Sequence, residues 1–393
     1  MKHKLLIVLF CLAGIALSNS LSAATVASGS CGINVNWILD DQGNLIISGT
    51  GNMTNYASYS ASPWNRYKNY ITSAVIESGV TSIGEWAFQD CDSLISITIP
   101  ESVTRIGAHA FYHCSSLTSL TIPDGVKSIE ESAFQDCDSL ISITIPESVT
   151  RIETHAFASC SGLKYLTICN GLIKKQAFYD CTSLTSLTIG NGVKDIGPYA
   201  FWGCSSLTSV TIPGSVTGIG NFAFSRCSGL KNVIFGNGVE DIGPYAFSYC
   251  SNLTSVTIPG SVHWIRELAF INCNSLISIT IPDRVTLVGA NAFSGCYGLT
   301  SITCEATTPP DTDGASPFNG VDKSIPLYVP QQSIGDYKYH FPWREFYNIK
   351  AIGTAIDEVM EIRKETTKFI QDGQVFLLLP DGTRYSILGQ IVN

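Results

Sequence analysis

Ala87-Phe88-Gln89-Asp90-Cys91-Asp92-Ser93-Leu94-Ile95-Ser96-Ile97-Thr98-Ile99-Pro100-Glu101-Ser102-Val103-Thr104-Arg105-Ile106-Gly107 decides the fold, because the same pattern returns along the chain. Ala-Phe pairs recur from Ala87-Phe88 to Ala292-Phe293, each followed at a fixed offset by Cys91, Cys114, Cys137, Cys160, Cys181, Cys204, Cys227, Cys250, Cys273 or Cys296. These ten cysteines are 23 residues apart except for one gap of 21. Within Ser96-Ile97-Thr98-Ile99 the period is two, so Ile97 and Ile99 face a core while Ser96 and Thr98 face outward, as in a strand covered on one side. A 23-residue unit cannot bury its own Phe, Leu, Ile and Val, so each coil must take its second wall from its neighbours. Pro100, Pro123, Pro146, Pro213, Pro259 and Pro282 close the strands by removing a ladder donor. The Ile-Gly steps at Gly84, Gly107, Gly197, Gly220, Gly243 and Gly289 suit a tight turn into a short helical segment carrying Ala-Phe. The expectation is a right-handed solenoid of about ten coils, one short strand per coil in a parallel sheet and short helical turns opposite, roughly 50 Å long at strand spacing.

Outside the repeat, the composition narrows the class. Only 14% of the 393 residues are charged, with 23 Lys and Arg against 32 Asp and Glu, so no basic field exists for nucleic acid or anionic lipid. Lys2, His3 and Lys4 precede an apolar run from Leu5 to Leu17 and then Leu21-Ser22-Ala23-Ala24, the layout of a secretory signal over 1–23 cleaved after Ala23. That run is too short for a comfortable membrane span, and no later segment approaches the roughly 20 apolar residues one needs. The mature chain is expected to be secreted or attached to the outer surface, and monomeric.

The coil length is that of leucine-rich repeats, and the unit Ala-Phe-x-x-Cys-x-x-Leu-x-x-Ile-x-Ile-Pro-x-x-Val-x-x-Ile resembles the bacterial repeats of BspA-like surface proteins. The resemblance covers 71–304 by repeat. Cys31-Gly32 to Pro63-Trp64, within 24–70, resembles that family's amino-terminal cap. Ala306 to Pro310, Leu327 to Pro330 and Trp343 to Phe346, within 305–350, resemble its closing cap. The resemblance implies an α/β superhelix capped at both ends, and attachment to extracellular matrix proteins. Residues 351–393 leave the period: helix-like or linker-like through Glu358 to Lys368, then strand-forming in Phe369–Leu378 and Arg384–Gln390, with Asp-Gly turns at 372 and 381. This end is similar to the sorting tails of exported Bacteroidetes proteins read by the type IX secretion system. One departure is internal: Ile168-Cys169-Asn170-Gly171-Leu172 is two residues short and puts Cys169 in the proline position, so a kink or altered twist is expected.

No constellation for catalysis emerges. Without Cys-x-x-Cys the ten periodic cysteines do not read as zinc ligands, and they are expected to be free, buried thiols; pairing among Cys31, Cys169 and Cys304 stays open. Gly218-Ile219-Gly220-Asn221-Phe222-Ala223 mimics a dinucleotide fingerprint only because Gly220 and Ala223 are repeat positions. Ser161-Gly162-Leu163-Lys164 mimics an acyl-transfer motif by the same accident. The histidines are scattered, and Asp311 with Asp313 lacks the further oxygen ligands of a calcium loop. No cofactor, no metal and no enzymatic activity are expected.

Binding is the remaining possibility. Breaks in the outward Ser/Thr pattern, Tyr165 and Asn232 with Ile234, carry individuality that the repeat does not demand. Aromatic residues flank Ala-Phe at Tyr179, Tyr199, Trp202, Phe222, Tyr245 and Tyr249, and Trp264 follows in the next variable segment. Tyr and Trp anchor interfaces because they bury much area at low entropic cost. The stretch from Tyr179 to Trp264 is the candidate contact for an extracellular protein or glycan. The leading expectation is an exported adhesin; the alternative is a scaffold of the cell envelope.

Overall fold

The computed structural model describes residues 23–58 and 61–353, and the strand backbones at 367–371, 374–378, 384–386 and 391–392. Residues 1–22 of the segment read as a signal, and most of the stretch read as a linker, lie outside the described residues. The repeat builds a solenoid of about twelve turns with parallel sheets. Alternation sets the first sheet: Ser142–Ile145, Ser209–Ile212 and Ser278–Ile281 each place Ser and Thr outward and the two apolar residues in the core. Neighbouring coils pair in parallel with each residue opposite its repeat counterpart, as in Ser209↔Asn232 and Asn232↔Ser255.

Two details differ from the sequence expectation. Each coil contributes a second short strand, such as Arg105–Ile106, Arg151–Ile152, Asp241–Ile242 or Trp264–Ile265, which stacks into a second parallel sheet. Its signal, Val-x-x-Ile, is too short to display a period. The Ala-Phe arc is not helical: alternate N–H groups bond forward to the next coil, Trp86 N–H to Ala108 O (3.0 Å), Phe88 N–H to Ala110 O (2.8 Å) and Asp90 N–H to Tyr112 O (2.9 Å), while Cys91 N–H closes a turn on Phe88 O (3.1 Å). Bonds between coils thus replace the bonds within a segment that a helix needs. The arc bends at two left-handed residues, one before Ala-Phe and one before Cys, such as Trp86 (φ 60) and Asp90 (φ 53). Eighteen non-glycine residues together with Gly203 and Gly295 hold this conformation across ten coils. The glycine at the Ile-Gly step serves a close approach instead: a Cβ on Gly107 would lie 2.8 Å from Ile83 O.

The core is a column of phenylalanines. Phe88, Phe111, Phe134, Phe157, Phe178, Phe201, Phe224, Phe247, Phe270, Phe293 and Phe318 are fully buried and stack at 5.0–5.6 Å between ring centres. Beside it, each cysteine from Cys114 to Cys296 donates its S–H to a Phe carbonyl of the adjoining coil, Cys114 to Phe88 O at 3.1 Å and Cys227 to Phe201 O at 3.3 Å. Phe88 O also accepts the Cys91 N–H, so the buried carbonyl is doubly satisfied. Tryptophans close the column: Trp64 packs 5.5 Å from Phe88 and donates to Ala87 O, and Trp343 packs 5.4 Å from Phe318 and donates to Pro310 O. Antiparallel strands Thr25–Ser30 and Val35–Asp40 lead into the first sheet through Asn44–Gly49. Pro326–Val329 and Asn348–Ala351 extend that sheet at the other end.

The short coil alters the path. Elsewhere a four-residue turn ending in Val, with Val103 N–H on Pro100 O or Val239 N–H on Gly236 O, separates the two strands of a coil. In the short coil and the coil stacked on it, Tyr165–Ile173 and Ser186–Ile196 run unbroken through both sheets, and register shifts at Ile168/Asn170 and Gly171/Leu172 absorb the missing residues. At the carboxy end Thr367–Gln371, Gln374–Leu378, Arg384–Ser386 and Ile391–Val392 form an antiparallel sheet, so Thr367 and Lys368 are strand and not helix, and Phe369–Leu378 divides into two strands.

The Phe column is the test of this architecture. Phe201→Ala removes a fully buried ring flanked by Phe178 and Phe224 and is expected to cost about 3–5 kcal/mol in urea unfolding.

Candidate binding faces of the solenoid

The solenoid has three sides, and the residues singled out in sequence divide among them. Tyr165 and Asn232 project from the Ser/Thr sheet, where Tyr165 is 55% exposed and Asn232 accepts the Ser255 hydroxyl at 3.3 Å. Trp264 lies on the second sheet beneath Arg266, whose guanidinium sits 5.0 Å from the ring and is held by Asp241 at 2.8 Å. The other six, Tyr179, Tyr199, Trp202, Phe222, Tyr245 and Tyr249, share the Ala-Phe face. The stretch from Tyr179 to Trp264 is therefore not one surface.

On the Ala-Phe face the period of the coil turns sequence spacing into columns. Residues before Ala-Phe stack as Tyr199, Phe222 and Tyr245, with ring centres 4.6 and 4.3 Å apart and planes within 9°. In the adjacent column Tyr179 stacks on Trp202 at 4.6 Å and 2°. Arg226 ties this group together, 5.2 Å from the Trp202 ring and 5.8 Å from that of Tyr249. Sequence reading missed Arg226 because it lies 24 residues from Trp202 in the chain and meets it only through the stacking of coils. Burial, with Asp180 adding to it, pushes the Tyr179 phenol up, and Arg226 opposes the shift. A smaller group stands nearer the amino end, where His109 stacks on Trp86 at 3.8 Å and packs beside Tyr112.

These aromatic identities are not dictated by the backbone. Tyr199, Phe222, Tyr245 and Tyr249 all hold left-handed φ values of 57–60°, a region costing an ordinary side chain roughly 1–2 kcal/mol. Other coils fill the same steps with Asn291, Asn272 or glycine, which suit it better. Stacking across coils offsets part of the cost, at about 0.5–1.5 kcal/mol per aromatic pair.

Residues 66–174 and 171–300 match the BspA type leucine rich repeat region in six copies. The chain belongs to this BspA-type leucine-rich repeat family. Proteins of this kind are typically cell-surface proteins that bind other proteins or mediate adhesion, and they are generally non-enzymatic. Among solved structures, a leucine-rich repeat protein from Bacteroides ovatus is 27% identical, covering 81% of this chain and 98% of that one, with a TM-score of 0.46. One from Eubacterium ventriosum is 25% identical over 75% of this chain and 95% of that one, at 0.43. A leucine rich cell surface protein from Faecalibacterium prausnitzii is 23% identical over 84% and 96%, at 0.38. No curated protein matches the chain. Among the described residues no helix is long and apolar enough to cross a membrane.

The BspA-type repeat also fixes the thiol chemistry. Cys31 and Cys304 are buried and unpaired, Cys304 accepting from the Tyr337 hydroxyl, and Cys169 is partly exposed. His113 stands 3.4 Å from Asp90 and 3.7 Å from Asp92, yet among the described residues no group of three or more His, Cys, Asp or Glu side chains could hold a metal. Burial pushes Cys181, Cys227 and Cys296 up to about 12 and Cys304 to about 11. The folded state disfavours the thiolate, so this stability is complete below the ordinary thiol value of 9.0 and is lost as pH rises towards 12. Each thiol steepens the loss by up to about 1.4 kcal/mol per pH unit. The urea midpoint is expected to hold from neutral pH to about 9 and then to fall, less steeply in Cys204→Ala/Cys227→Ala. Ellman's reagent on the native chain should find only Cys169 of the thirteen described cysteines, and all of them after denaturation.

Proposed function

We propose that this protein is exported to the cell surface and acts as an adhesin, gripping a partner protein with the aromatic columns of its Ala-Phe face. The observation that carries the reading is the Tyr199–Phe222–Tyr245 column beside Tyr179–Trp202–Arg226–Tyr249. The solenoid does not need aromatics at these strained steps, and ring edges with phenol hydroxyls and a guanidinium are the chemistry enriched in protein interfaces. Repetition also holds the groups rigid, which lowers the entropy lost on binding. The leader-like 1–23 segment and the family's surface habit support export. The strand-forming tail at 367–392 supports a sorting role at the outer surface, and the solenoid works as a monomer.

The test is binding of the purified chain to immobilised matrix proteins such as fibronectin and fibrinogen. Saturable binding should weaken at least about tenfold in Tyr199→Ala/Trp202→Ala/Tyr245→Ala, while the variant keeps a cooperative urea transition at a lower midpoint that reflects only the lost stacking. Equal affinity of the variant and the parent would sink this placement of the site. No binding to matrix proteins, with retention by the organism's own envelope instead, would replace the adhesin with an envelope scaffold.

A further inference from the structure

The short coil leaves a groove on the Ser/Thr sheet, away from the Ala-Phe face. It has a volume of about 540 Å³, within the roughly 300–1,000 Å³ common for small-molecule sites, and Glu147, Thr167, Cys169, Asn170, Thr188 and Asn191 line it. The coil of Cys169 lacks two residues that other coils carry at this place, and the next coil pairs with it along one continuous strand. Gly190 and Gly192 then let the next coil close against the Cys169 carbonyl, where a Cβ on either would meet that oxygen at 2.6 Å. The groove follows from the two-residue deletion, since the same Gly-Asn-Gly-Val sequence at Gly236 to Val239 keeps the usual turn.

Its lining suits a hydroxyl-rich, uncharged ligand. Glu147 supplies an acceptor carboxylate, Thr167 and Thr188 supply hydroxyls that donate and accept, and Asn191 supplies an amide. The Asn170 amide nitrogen already donates to Glu147 O at 2.8 Å, which fixes that side chain across the groove wall. No cation lines the groove, and Glu147 and Asp124 both act on Cys169, so the local field repels anions.

Tyr165 supplies the second half of a site. It is one outward step before Thr167 on the same strand, about 7 Å away at strand rise. Its register neighbours are Ser142 and Ser186, both small and exposed, so the ring stands uncovered. This sets Tyr165 apart from the columns of the Ala-Phe face, whose rings cover one another and offer mainly edges. A pyranose has an apolar C–H face and a rim of hydroxyls: the free Tyr165 ring matches the former and the groove matches the latter. We infer that the groove beside Tyr165 binds a neutral oligosaccharide, at a site separate from the protein-binding face and independent of it.

An array of neutral and acidic oligosaccharides probed with the purified full chain, followed by calorimetry on the hits, tests this. The expected result is saturable binding of a neutral oligosaccharide, weakened about tenfold by Tyr165→Ala and by Glu147→Gln, retained by Tyr165→Phe and unaffected by Trp202→Ala. Because Cys169 is the one partly exposed thiol among the described residues, maleimide labelling of the unaltered protein reads occupancy directly. Saturating sugar should slow that labelling severalfold. Binding of no neutral oligosaccharide, or of acidic ones alone, overturns the proposal. So does binding that Tyr165→Ala leaves unchanged and that does not protect Cys169. Loss of matrix-protein binding with sugar binding intact, or the reverse, separates this site from the Ala-Phe face.

Discussion

The hydrogen bonds and stacks between successive coils are the constraint on which everything else in this molecule rests. No coil satisfies all of its own backbone: strands pair with the coils on either side, and every second N–H of the Ala-Phe arc goes to a carbonyl about 22 residues ahead. The Phe column and the cysteine S–H bonds set the same spacing from inside. Stability in such an array is close to a sum of nearest-neighbour terms, so each end needs a different solution. Trp64 and Trp343 supply it, each covering a terminal phenylalanine ring while its indole N–H finds a carbonyl.

Repetition has a functional corollary. Any surface position is copied every coil at a separation close to stacking distance, so a choice made twice becomes a column and a choice made once becomes a landmark. The Ala-Phe face uses the first device, in Tyr199, Phe222 and Tyr245. The Ser/Thr sheet uses the second, in Tyr165 standing alone among hydroxyls beside the groove of the short coil.

The solenoid was legible from sequence because alternation in Ser-Ile-Thr-Ile and the Ala-Phe-x-x-Cys spacing are both periodic and repeated. The second strand was not, since Arg105–Ile106 and its counterparts are too short to display alternation. The non-helical arc was hidden for another reason: its left-handed residues include Trp86, Phe222 and Leu268, types that rarely signal that conformation. The aromatic candidates were visible as departures from the repeat, but their sorting among three faces depends on where the arc bends. Arg226 and the Glu147–Asn191 groove come from contacts across coils, which no local window contains. The two-residue deficit at Cys169 was visible, whereas its outcome, continuous strands beside a cavity, depends on the pairing of the next coil with the short one.

On the export route proposed above, the cysteine column sets a race during biogenesis. Once coils have closed, twelve of the thirteen described thiols are sealed from reagents, but the unfolded chain presents all of them, ten at nearly equal intervals. A disulfide formed then would join segments that the finished molecule keeps in separate layers, and strand registry could not recover without reduction. Coil closure must outpace oxidation, which favours folding that nucleates locally and spreads one coil at a time.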